Sequence, residues 1–127
     1  MPPHPDISGL TDAVQRYFDL MYDSDVARFD RVFRSTAQLH GLRDGQMTMW
    51  PAATFKEMIA GRPSPQSQNA PREEEILLID FASADQAFVK VRVRINAVVF
   101  VDHLTYHRID GDWLVTAKAF HVERQIS

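Results

Sequence analysis

The chain has 127 residues, 45% hydrophobic and 24% charged, with no cysteine and a formal net charge of −3. That length suits one domain with its own core, and the balance is far from the charge-rich, apolar-poor composition of disordered chains. Disulfides, thiol nucleophiles and thiolate metal sites are excluded, and a slightly acidic chain lacks the basic surface on which nonspecific nucleic-acid binding depends.

Met1 to Asp6 contain neither a basic nor an apolar leader, and no stretch approaches the ~20 apolar residues of a membrane helix. The expectations are therefore a cytoplasmic location, no membrane and no nucleic acid as partner, one domain over residues 6–124 and a flexible N-terminus over 1–5. Ile7, Leu10, Val14, Phe18 and Met21 recur at spacings of three and four, which predicts a helix over 6–22. Asp23-Ser24-Asp25 breaks the pattern and offers capping oxygens to a second helix carrying Val26, Phe29, Val32 and Phe33, forming a hairpin with the first. Residues 37–41 read as a short strand and Arg43-Asp44-Gly45 as a turn. Pro51 suits the first position of a third helix, with Phe55, Met58 and Ile59 inside it and Gly61 ending it.

Residues 62–72 hold three prolines among small polar residues and predict a mobile loop bordering a pocket mouth. Four strands follow, over 75–82, 86–95, 98–109 and 113–122, joined by turns short enough to make them antiparallel neighbours. Helices first and strands afterwards is an α+β order, in which helices cover one face of the sheet. The strand 86–95 alternates, with Ala87, Val89, Val91, Val93 and Ile95 toward the helices and Lys90, Arg92 and Arg94 away. In the next strand Phe100, Asp102, Leu104 and Tyr106 share one face, and Val99, Val101 and His103 the other. An outer face this apolar predicts a homodimer.

Four segments, Y-F-D-L-M-Y from Tyr17, R-P-S-P from Arg62, F-V-D-H-L from Phe100 and D-G-D-W-L-V-T-A-K-A-F from Asp110, together resemble the putative lumazine-binding branch of the SnoaL-like, nuclear transport factor 2-like superfamily. The resemblance spans almost the whole chain. It implies N-terminal helices packed on a strongly curved antiparallel sheet, an α+β barrel or cone enclosing a small apolar pocket, in a fold that hosts enzymes, binding modules and adaptors alike. The run A-V-Q-R-Y ending at Tyr17, together with Asp102-His103, also resembles the oxyanion hole of ketosteroid isomerases. That likeness implies that Tyr17 and a neutral Asp102 hold a carbonyl or enolate oxygen. The isomerase's catalytic base falls on Gly41, which leaves the adjacent His40 as the candidate base, although neighbouring strand side chains point to opposite faces.

Trp50, Phe55, Met58, Phe100 and Tyr106 are the candidate ligand-contacting residues, each of a type that would serve equally as ordinary core. His103 and His107 lie about 13 Å apart on a strand, too far to share an ion, so neither metal nor cofactor is expected. The leading expectation is a homodimeric protein that binds a small apolar or aromatic molecule with a polar oxygen directed at Tyr17 and Asp102. The alternative is an isomerase, cyclase or dehydratase-type enzyme that stabilises an enolate through those two residues and moves protons through His40 or the substrate itself. A purely protein-binding adaptor would need no deep pocket.

Overall fold

The computed structural model describes residues 5–126, and the expectation of a flexible start lies, for residues 1–4, outside them. The first helix, α1 (Ile7–Asp23), buries Leu10, Val14, Phe18 and Met21 as its periodicity predicts, together with Tyr17, but Ile7, expected on the same face, is exposed at the helix start. The Asp6 side chain caps it by accepting from the Gly9 N–H. The same carboxylate accepts from the Trp113 indole N–H at 3.0 Å, so the helix start is tied to the last strand. Those hydrogen bonds, the indole's foremost, hold the Asp6 carboxyl below the usual carboxylate range.

The predicted second helix is only a 3-10 segment, Val26–Arg31, and no helical hairpin forms. Val32 instead accepts a backbone hydrogen bond from Val115, which commits the chain to a sheet ladder, and Phe33 already belongs to β1 (Phe33–Arg43). The expected turn at Asp44-Gly45 has positive φ at both residues, the backbone of a tight hairpin. It leads into β2 (Gln46–Pro51), a strand not anticipated. Helix α2 (Ala52–Gly61) follows with Pro51 as its cap.

The remaining strands are β3 (Glu74–Ser83), β4 (Gln86–Ile95), β5 (Val98–Ile109) and β6 (Asp112–Gln125). They join one six-stranded sheet in the order β2-β1-β6-β5-β4-β3. Every neighbouring pair is antiparallel except β1 with β6, which run parallel. Irregularities interrupt the β1–β6, β3–β4 and β5–β6 registers, and such bulges add the twist and bend that curve a sheet. The α+β class and the alternation of β4 are as predicted, with Ala87, Val89, Val91, Val93 and Ile95 buried.

Two expectations need correction. Val99, offered as an outer-face contact for a second copy, is 3% exposed in the single chain, beside a cluster of charged side chains that includes Arg72, Arg94 and Arg124. The segment 62–72 is a loop, but one with anchors: Pro65 is buried, Tyr22 donates to the Ala70 carbonyl and Arg72 pairs with Asp19 and Glu74. Among the described residues no helix is long and apolar enough to cross a membrane.

Candidate functional site

Residues paired across neighbouring strands share a face of the sheet, and the register of β1, β6 and β5 assembles the concave side. Gly41, Phe120 and Asp102 form one row, and Leu39, Lys118 and Leu104 the next. Phe55 and Met58 of α2, Trp50 of β2 and Phe100 of β5 close over these rows around a cavity of about 120 Å³, which Asp102 and Lys118 also line. Trp50 and Phe120 stack within its wall, ring centroids 5.3 Å apart and 11° from parallel. A cavity of that size compares with the ~150 Å³ space that holds a single benzene ring.

Tyr17 sits beneath the cavity rather than in its wall. Its hydroxyl donates to Asp102 Oδ2 at 2.5 Å, and Lys118 Nζ stands 3.7 Å from the same oxygen. Asp102 is 1% and Lys118 5% exposed, so phenol, carboxylate and ammonium form one buried polar unit, with the ammonium also over the rings of Phe55 and Tyr17. Burial, and then the neighbouring Asp102 charge, push the Tyr17 hydroxyl well above the usual tyrosine range. Burial draws the Lys118 ammonium below its ordinary value, partly offset by Asp102.

This arrangement differs from two donors converging on a ligand oxygen. A phenol has one proton to give, and Tyr17 gives it to Asp102. Between Tyr17 and Asp102, the atom left without a hydrogen-bond partner is Asp102 Oδ1, an acceptor.

His40 is not brought to the cavity. Its cross-strand partners are Met49 and Ala119, on the face opposite buried Leu39, because β1 is regular strand there and successive side chains alternate. Nor does Gly41 leave room for a base, since a Cβ built on it would lie 2.2 Å from the Phe120 ring. Tyr106 is fully buried but does not line the cavity. It pairs with Ala87 and Val115 and lies four positions along β5 from Asp102, about 13 Å at the rise of a strand. Burial raises its hydroxyl far above the usual range.

Lys118, Arg62 and Phe120 line the site and were not anticipated. For Lys118 the available signal was a single lysine flanked by two alanines in the middle of a strand, between Val115 and Phe120. Its inward direction depends on a bulge, because the register steps from Tyr106↔Val115 to Thr105↔Ala117 and skips Thr116. Trp113 and Val115 face inward before the bulge and Lys118 after it, a change of parity that strict alternation forbids.

The raised Tyr17 value carries a pH prediction. An unfolded tyrosine ionises near 10.0 whereas folded Tyr17 keeps its proton, so its contribution is complete below pH 10 and is lost as pH rises above it. Lys118 acts oppositely, but only up to its ordinary value of 10.5. Above pH 10.5 the unfolding free energy should fall with a slope of up to ~1.4 kcal/mol per pH unit for each buried tyrosine. In Tyr17→Phe the slope should be about half, leaving the share of Tyr106; urea midpoints between pH 10.5 and 11.5 check this, and an unchanged slope refutes it.

The sequence profile of the family described as "Putative lumazine-binding" matches residues 5–121. Among solved structures, a nuclear transport factor 2-like protein of unknown function from Silicibacter pomeroyi superposes with a TM-score of 0.77 at 21% identity, covering 92% of this chain and 95% of that one. One from Shewanella baltica, also of unknown function, gives 0.79 at 20% identity over 93% and 94%. A ketosteroid isomerase-like protein from Erwinia carotovora atroseptica gives 0.72 at 12% identity over 94% and 97%. Likeness at such identities establishes the shared fold. No curated protein matches the sequence.

Proposed function

Because this chain belongs to the Putative lumazine-binding family of the nuclear transport factor 2-like superfamily, we propose that it binds one small organic molecule, about a single ring in size, in the cavity beneath α2. The observation that carries this reading is the Asp102–Lys118 pair opening into an otherwise largely apolar cavity of about 120 Å³. Binding sites commonly combine apolar walls with a few placed polar groups. The ring of the ligand packs against Phe55, Phe100 and the Trp50–Phe120 stack, and a hydroxyl or N–H donates to Asp102 Oδ1. The family description supports a heteroaromatic ligand, and the volume favours its smallest members. Enolate chemistry is the weaker reading, because the candidate base His40 lies on the other face of the sheet.

The test is mass spectrometry of small molecules released from gently purified protein, compared with Val122→Phe, which enlarges a side chain lining the cavity. A one-ring compound present at near-stoichiometric amount in the wild type and lost from the folded variant is expected. Equal recovery from both would place the molecule elsewhere and overturn the reading. Trp50 supplies a second readout in Trp113→Phe, where it is the sole remaining tryptophan, since a ligand against its ring alters its emission.

The proposal extends to assembly as a homodimer through the convex face of the sheet, where Val101 is half-buried, His103, Ala117 and Ala119 are exposed and Met49 is 47% exposed. Sedimentation at micromolar concentration should give twice the 14.5 kDa chain mass, and Val101→Lys should shift the protein toward monomer with the cavity intact. A wild type that sediments only as monomer refutes it.

A further inference from the structure

Arg62, the residue that leaves α2 and opens the following loop, lines the same cavity. Its Nε and Nη2 are shut off from solvent and have no hydrogen-bond partner among the described residues. Those two nitrogens carry the N–H groups of one edge of the guanidinium, the edge that grips the two oxygens of a carboxylate side-on. No carboxylate of the described residues pairs with Arg62. Its cation leans only on the Phe55 ring, 5.9 Å from the centroid, the same ring that Lys118 Nζ approaches at 4.7 Å.

The charges lining the cavity are thus unbalanced. Arg62 and Lys118 face a single anion, Asp102, whose Oδ2 is already engaged by Tyr17 and Lys118, while Arg43, which also lines the cavity, is exposed to solvent. Arg62 as a whole is half-buried, but partial burial without a partner still disfavours its cation, and two N–H groups shut off from water and left unpaired are costly to retain. Substitution by a neutral residue would remove that penalty, so the arrangement makes physical sense if an anion completes it.

We infer that the ligand of this site is a monocarboxylate on a single ring or short apolar body, its carboxylate held side-on by Arg62 Nε and Nη2 and its apolar part against Phe55 and Phe100. This rests on the binding function proposed above and specifies the ligand's charge. The planar carboxylate matches the free edge of the fork, and the small volume leaves room for little beyond the ring.

The test uses matched pairs of probes that differ in charge but little in shape: benzoate with benzamide, and cyclohexanecarboxylate with its amide, plus toluene as a purely apolar probe. Affinities are measured by calorimetry, or by thermal shift where they are weak, at pH 7 and moderate salt. Each carboxylate should bind at least ~10-fold tighter than its amide, the scale of one charge-assisted hydrogen bond. Arg62→Gln should abolish that preference, and Arg62→Lys, which keeps the charge but not the fork, should retain only part of it. Both variants should melt within a few degrees of the wild type in the absence of probe, because the residue has no hydrogen-bond or ion-pair partner to lose and only its contact with the Phe55 ring is weakened.

Equal binding of acid and amide would overturn the carboxylate assignment while leaving a ligand-binding cavity standing. Binding of toluene alone would do the same. If no probe binds, toluene included, the binding function falls as well. A carboxylate preference undiminished in Arg62→Gln would remove Arg62 from the site.

Discussion

Asp102→Leu is expected to lower the unfolding free energy by about 3–5 kcal/mol, the range for removing one partner of a buried ion pair. The substitution leaves the Lys118 ammonium, 5% exposed, without its anion and the Tyr17 hydroxyl without its acceptor. Against a total stability of ~5–15 kcal/mol for a domain, that is a large fraction. The double variant Asp102→Leu/Lys118→Met should recover much of the loss, because it removes both charges and fills their volume with apolar atoms. Urea unfolding of the wild type, both single variants and the double variant closes the cycle. A coupling of more than ~1 kcal/mol is expected, and strict additivity would mean that the pair does not act as a unit.

Phe33→Ala should cost a similar ~3–5 kcal/mol, the usual loss on truncating a fully buried phenylalanine. Phe33 is 1% exposed. It stacks on Phe29 at 4.8 Å between centroids and meets Phe55 and Tyr17 edge-on at 5.7 and 6.0 Å. The void would therefore open beneath both the wall of the cavity and the phenol that supports Asp102. The melting temperature should drop by roughly 10–20 °C, and ligand affinity should fall with it. Phe33→Leu, which keeps most of the volume, should lose far less of both. A Phe33→Ala protein that melts within a few degrees of the wild type would show that the aromatic cluster relaxes around the void.

Much of the fold was legible because its signals are local. The three-and-four spacing from Ile7 to Met21 marked α1, and alternation marked β4 from Ala87 to Ile95 because each side chain there has one environment or the other. Turn chemistry at Asp44-Gly45, Asn96-Ala97 and Asp110-Gly111 separated the hairpins. The approach to β1 misled because Val26, Phe29, Val32 and Phe33 fit a helical face, while the backbone bond from Val115 to Val32, 83 residues away in sequence, cannot be read from either segment alone. β2 escaped notice because a six-residue edge strand of mostly polar and methionine residues carries little β signal.

For the site, the residue types of the sequence already determined an aromatic-lined, thiol-free pocket with Asp102 as its conspicuous polar group, because an acid inside an apolar strand demands a partner wherever it lies. Tertiary structure alone decided which partners it has. The bulge at Thr116 turned Lys118 inward, the packing of α1 brought the Tyr17 hydroxyl to 2.5 Å from Asp102, and strand parity sent His40 to the opposite face. Direction across a sheet depends on register summed along the whole ladder, so one skipped residue reverses it, and no local pattern in the sequence records that skip.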